Sequence, residues 1–262
     1  MGQASSLSFV GQAESLSHNP LPATLMTYLR ATRHPWAGFL FLLPLLAAYE
    51  GGLFCLGGDQ GVRLRNGADA WLRWAFDVFG AGHALAAPAV VLAVMLVWSW
   101  WRWADRPEDP VTVWFGMAFE SALFAVVLWQ FSRNFGPIID GLGIQLQITV
   151  RTAPAAQILT FIGAGIYEEV LFRLGLFGGL ALVLRAVRIP WPVAVLLAAF
   201  VAALAFAAAH HVGPYGEPMR ADYFAFRTAA GLYFTVLFVA RGFGIAVGAH
   251  AGYDVLVGVV VG

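Results

Sequence analysis

The run Gly165-Ile166-Tyr167-Glu168-Glu169-Val170-Leu171-Phe172-Arg173 decides how this chain is read. Two adjacent carboxylates and a guanidinium stand inside an apolar stretch from about Ala155 to Val187. Ionisable groups at membrane depth are expensive, and where they occur they mark a functional site by default. The stretch is longer than the roughly 20 residues that one untilted span needs. A bend is expected at Gly175 or at Gly178-Gly179.

The rest of the chain supports a membrane setting. Of its 262 residues, 60% are hydrophobic and 11% are charged, whereas soluble domains carry about 25% charged residues. The fold class expected is all-α: a polytopic transmembrane helical bundle of about seven spans, within a range of about six to eight. The spans read as Ala37 to Leu56, Ala84 to Trp101, Val111 to Phe131, Ala155 to Val187, Pro190 to His211, Ala221 to Ala240, and Phe243 onward. Residues 59–80 mix Arg63, Arg65, Arg73, Asp59, Asp69 and Asp77 with Trp71, Trp74, Phe76 and Phe79, as an interfacial amphipathic helix would. Trp98, Trp100, Trp101 and Trp103 form an aromatic belt at a headgroup boundary. Residues 132–152 read as a mixed loop and 213–218 as a short one.

The expected organisation is an N-terminal tail and lead-in over 1–35, then one transmembrane domain over 36–262 with its chemistry in 155–262. Residues 1–29 hold no Arg or Lys, so the charged start of a secretory signal is missing and no cleavable leader is expected. Net charge is zero, which argues against a nucleic-acid partner. Cys55 is alone, which excludes an internal disulfide and a cysteine-based metal site. Arginines fall on both sides of the expected spans and fix no orientation.

Glu169 and Arg173 are four residues apart, about 40° around a helix axis, and can pair within it. Glu168 is turned about 100° away. The simplest division of labour makes Glu169–Arg173 a clamp and Glu168 the working carboxylate. His210 ends a later helix after Ala207, Ala208 and Ala209, which leave room for a close neighbour. His250 and Asp254 share one face of the last helix, while Gly244, Gly248 and Gly252 line another that suits close packing. One carboxylate and two imidazoles suit water activation, with other donors stabilising the oxyanion on an attacked carbonyl. The same set could instead ligate zinc.

Glu168-Glu169-x-x-x-Arg173, then Phe206-x-x-x-His210, then His250-x-x-x-Asp254 resemble the motifs of the CAAX prenyl protease and bacteriocin-processing family (CPBP, or Abi). The resemblance covers about residues 155–262. It implies a membrane-embedded endopeptidase in which Glu168, with His210, activates water. It also implies that Glu169 and Arg173 support Glu168, and that His250 stabilises the oxyanion. Asp254 stands where many relatives have Asn, and an ionised Asp offers no donor. A protonated Asp254 could still fill that donor role, and orienting His250 is the other role open to it. Expected partners are a membrane protein or peptide substrate and the lipid bilayer, in a bacterial inner (plasma) membrane. No cofactor is expected. Zinc stays chemically possible, but no His-Glu-x-x-His helix is present, and Arg173 would compete with a divalent ion.

Two rival functions stay open at this point. One is a non-catalytic immunity or scaffold protein on the same fold. The other is a proton-coupled transporter, which would be expected to carry paired broken helices in two related halves. Glu120 lies mid-span without a partner three or four residues away, so it is either protonated or paired to an arginine elsewhere.

Overall fold

A computed structural model describes residues 23–56, 64–80, 85–140, 154–212, 216 and 218–261. Every regular element among them is helical. The short α1 (Ala23–Thr32) leads into α2 (Pro35–Leu56). Then come α3 (Gly67–Val78), α4 (Ala86–Trp101), a single 3₁₀ turn (Trp103–Asp105) and α5 (Pro110–Asp140). Next is α6 (Pro154–Glu169), which runs without a break into a π-helical segment (Val170–Gly178) and α7 (Gly179–Ala186). The chain finishes with α8 (Trp191–Ala209), α9 (Ala221–Arg241) and α10 (Phe243–Val255), extended by π-helical turns over Leu256–Val261.

Helix starts follow local chemistry. Pro35, Pro110 and Pro154 open their helices, where a missing N–H is no loss. The Asp109 side chain accepts from Thr112 N at the start of α5. Asn66 caps α3, accepting from Asp69 N. Gly242 alone links α9 to α10, at φ 98°. A Cβ there would lie 2.6 Å from the Thr32 carbonyl, so both the turn and the contact require glycine.

Among the described residues, four helices are long and apolar enough to cross a membrane: Pro35–Leu56, Pro110–Phe135, Trp191–Ala209 and Ala221–Arg241. Ala86–Trp101 and Phe243–Val259 are shorter apolar helices. Outward faces are apolar as well. On α5, Phe115, Phe119, Leu123, Val126 and Val127 are exposed; on α8, Leu196, Leu197, Phe200 and Val201. Apolar rows of this extent are unstable in water and belong against lipid tails. The protein is therefore an integral membrane protein with a polytopic helical bundle. Trp100, Trp101 and Trp103 are exposed at the end of α4, where a headgroup belt is expected.

The core forms around α10, which packs on α2, α5, α6 and α9. From Phe243 to Ala251 only Gly248 is less than fully buried, so this helix is enclosed on all sides. The glycine ladder faces α5. A Cβ on Gly244, Gly248 or Gly252 would meet Met117, Ser121 or Ala125, respectively. On the opposite side, a Cβ on Gly165 of α6 would lie 2.7 Å from the Ala251 backbone nitrogen. On α8, Ala194, Ala198 and Ala202 form a buried stripe, and α9 approaches it closely where Gly231 meets Ala203.

Several boundaries differ from the sequence reading. α5 continues to Asp140 through residues expected in a loop; Ser132 Oγ and Asn134 Nδ2 donate back to the Trp129 and Gln130 carbonyls, so these polar side chains are satisfied within the helix itself. The long Glu-bearing stretch does not bend at one glycine. It changes pitch over Val170–Gly178. Among its described residues, the amphipathic segment forms a helix over Gly67–Val78. The N-terminal tail up to residue 22, residues 57–63, residues 81–84, residues 141–153 and most of the 213–218 loop lie outside the described residues.

Candidate active site

Glu168 and Glu169 end α6 where the helix widens. π-Helical turns cluster at functional sites in helical proteins. The wider turn still returns after about four residues, so Arg173 comes back beneath Glu169. Arg173 Nη1 lies 3.0 Å from Glu169 Oε1, with both side chains almost wholly buried. The approach is an ion pair without hydrogen-bond alignment, since Arg173 Nη1 has no hydrogen-bond acceptor. Arg173 Nη2 donates to the Gly231 carbonyl at 3.1 Å, and the guanidinium sits 4.5 Å from the Phe206 ring centroid. Aromatic faces stabilise a cation in low dielectric.

Glu169 has a second task. His250 Nδ1 lies 2.8 Å from Glu169 Oε1. The carboxylate facing Arg173 is the acceptor, so Nδ1 carries the proton and Nε2 points the other way. Phe234 stacks on the imidazole at 4.4 Å and 13°, which fixes the ring plane. His250 Nε2 then faces Glu168 Oε2 at 3.8 Å and Asp254 Oδ2 at 3.6 Å.

His210 comes from the end of α8. Its Nδ1 lies 2.8 Å from the Phe206 carbonyl oxygen. A carbonyl only accepts, so Nδ1 is the protonated nitrogen. In the neutral ring Nε2 is then a lone pair, and it faces Glu168 Oε2 at 3.7 Å. Phe206 packs edge-on to both imidazoles and to Phe172, and so fills the space behind the site.

All six residues singled out in the sequence thus converge: Glu168, Glu169, Arg173, His210, His250 and Asp254. Glu168 Oε2 is the shared focus of the two imidazoles, yet it has no hydrogen-bond partner. Two lone-pair atoms 3.7 Å apart do not bond each other; a small donor between them would satisfy both. The cluster is not sealed. The side chains of His210 and Asp254 are 20% and 23% exposed. A recess of about 1010 Å³ lined by Arg30, Arg33, Arg102 and Arg106 lies elsewhere, with none of the six residues in its wall.

Among the described residues no group of three or more His, Cys, Asp or Glu side chains has an arrangement that could hold a metal ion. The cluster already holds the Arg173 cation beside its carboxylates.

Residues 150–256 match the model of the Rce1-like family, described as Type II CAAX prenyl endopeptidase Rce1-like. This is a protease-type family of membrane proteins, and it is the one the three motifs resemble. The matched region is less than half of the 262 residues but contains all six clustered side chains. No curated protein and no solved structure matches the chain.

One site residue was missed and lies outside the Rce1-like region. Asn66 Nδ2 donates to Glu168 Oε1 at 2.7 Å. Its only sequence signal was a capping residue before Asp69, which says nothing of Glu168. Glu120 is not a lone buried acid. Arg241 Nη2 donates to its Oε2 at 2.7 Å and so does Tyr28 Oη at 2.9 Å, tying α1, α5 and α9 together. His34 is structural too. Its Nε2 lies 2.8 Å from the Arg102 carbonyl, and its Nδ1 accepts from Trp36 N.

Proposed function

We propose that the protein is a membrane-embedded endopeptidase that hydrolyses peptide bonds with a water held between Glu168 and His210. The observation that carries this reading is the unpartnered Glu168 Oε2 facing the His210 lone pair at 3.7 Å. A water bridges such a gap by giving one hydrogen to each side, with its own lone pairs left for a carbonyl carbon. As the water attacks, Glu168 takes its proton and later delivers it to the leaving amine. His210 orients the water. Glu169 and Arg173 fix His250 from behind.

As an imidazolium, with its Nδ1–H on Glu169, His250 has a second proton on Nε2 to donate toward a developing oxyanion. Asp254 cannot donate when ionised, so its role here is to hold the Nε2 edge of His250. The reaction needs no metal in this reading, because the base is a protein carboxylate. The substrate class suggested by the Rce1-like match is a prenylated C-terminal peptide presented from the bilayer. A bacterial inner membrane suits such a multi-pass chain.

The test is cleavage by the protein reconstituted in liposomes. A quenched farnesylated CAAX peptide and its unprenylated twin serve as probes, in ¹⁸O-water and after prolonged chelation. Cleavage of the prenylated peptide, one ¹⁸O in the new carboxylate and unchanged activity after chelation are expected. Activity lost on chelation and restored by zinc would replace the carboxylate mechanism with a metal-bound hydroxide. Cleavage of neither peptide by the folded protein would leave the scaffold reading in its place.

A further inference from the structure

Beyond the six clustered residues, and resting on the hydrolase reading above, we propose that Asn66 is a positioning residue for Glu168. It holds one carboxylate oxygen so that the other stays turned to the imidazoles.

The orientation of the Asn66 amide is determined by its cap. Its Oδ1 accepts from Asp69 N at 3.0 Å, and an N–H can be accepted only by the oxygen end. The NH₂ end is therefore the one 2.7 Å from Glu168 Oε1. This is a charge-assisted bond when Glu168 is ionised. A glutamate carboxylate swivels readily about its last torsion. With Oε1 tied to Asn66, Oε2 has one place left, between His210 Nε2 and His250 Nε2.

The cap is itself anchored. Asp69 takes Arg65 Nη1 at 2.8 Å, Arg73 Nε at 2.6 Å and Tyr49 Oη at 2.9 Å. Arg73 Nη2 also donates to Glu50 at 3.0 Å, and Tyr167 Oη donates to the same oxygen at 2.8 Å. Tyr167 is the residue before Glu168. The network thus grips α3 and the backbone beside the candidate base at once. It gives the N-terminal part of the chain, outside the Rce1-like match, a direct hold on the site.

The rival explanation is that Asn66 only caps α3. Asn66→Ser separates the two roles, because serine caps a helix as well as asparagine but is too short to reach Glu168. Asn66→Asp also keeps the cap and sets a carboxylate against Glu168; it serves if the serine variant fails to fold. The readouts are kcat and KM on the farnesylated peptide, thermal melting, and the infrared carboxylate stretch of Glu168. That band is assigned with ¹³C side-chain-labelled glutamate as the one missing in Glu168→Gln.

The expected result for the cap-preserving variants is melting lowered by the lost bond to Glu168 and, at a temperature where the variant is folded, a kcat lower by about tenfold to a hundredfold, KM nearly unchanged, and a displaced Glu168 band. Parent-like kcat with an unmoved band would overturn the proposal. So would a kcat that falls only in step with melting. If the parent protein cleaves no peptide, the hydrolase reading fails separately. The Glu168 band then decides the matter alone: displaced, the hold on Glu168 stands; unmoved, it falls.

Discussion

Two polar clusters lie within the same bundle, and they are finished differently. Around α3, Glu50, Arg65, Asp69 and Arg73 are linked with Tyr49 and Tyr167. Among the described residues, no side-chain atom of that network is left buried and unpartnered. Around the end of α6 the opposite holds. Glu168 Oε2, Glu169 Oε2 and Arg173 Nε are all buried without a hydrogen bond. An unmade hydrogen bond on a buried charged group costs more than about 1–3 kcal/mol, so a cluster kept for stability alone would close its bonds, as the first one does. The second stays open at the atom that both imidazoles face. A buried polar group left unsatisfied by the protein calls for an explanation, and a water or substrate atom at Glu168 Oε2 supplies one.

The largest effect on the fold is expected from breaking the clamp. In Arg173→Ala, Glu169 and the Glu168 cluster lose their buried cation, at a cost of about 3–5 kcal/mol in stability. Activity should fall with it. Combining Glu169→Gln with Arg173→Gln should recover part of the stability, since the amide oxygen of the new side chain could still accept from His250 Nδ1. Chemical denaturation in detergent checks both. An Arg173→Ala protein as stable as its parent would remove the distinction between clamp and base.

A smaller effect is expected in the closed network. Asp69→Asn removes one of the two carboxylates that Arg65 and Arg73 share and turns an amide donor toward one guanidinium. Stability should drop by about 1–3 kcal/mol. At a temperature where the variant is folded, kcat should change far less than it does when Glu168 is altered. Equal losses of kcat from Asp69→Asn and Glu168→Gln would mean that the two clusters work as one.

The sequence carried one half of this comparison and hid the other. Glu169–Arg173 and His250–Asp254 were legible because helical spacing alone brings residues four apart together. The meeting of Glu168, His210 and His250 followed from three motifs on apolar helices. The Asn66 contact spans 102 positions of sequence, and no periodicity links a capping residue to a carboxylate on another helix. Tyr167 and Glu50 are 117 apart and Glu120 and Arg241 121 apart, so those pairs were equally invisible. The change of pitch over Val170–Gly178 was hidden too, because an apolar run reads the same in α- and π-helical turns. The extension of α5 to Asp140 was masked by polar residues that look like a loop, although Ser132 and Asn134 bond back to carbonyls of their own helix.

The most direct test is Glu168→Gln in the reconstituted protein, measured for peptide cleavage and melting side by side. Gln keeps the shape and can still accept from Asn66, but it cannot take a proton from water. Loss of a general base lowers the rate by about 10²–10⁴-fold. A fall of that size with melting near that of the parent is the predicted result. Parent-like cleavage by Glu168→Gln would contradict the central claim that this carboxylate activates the water.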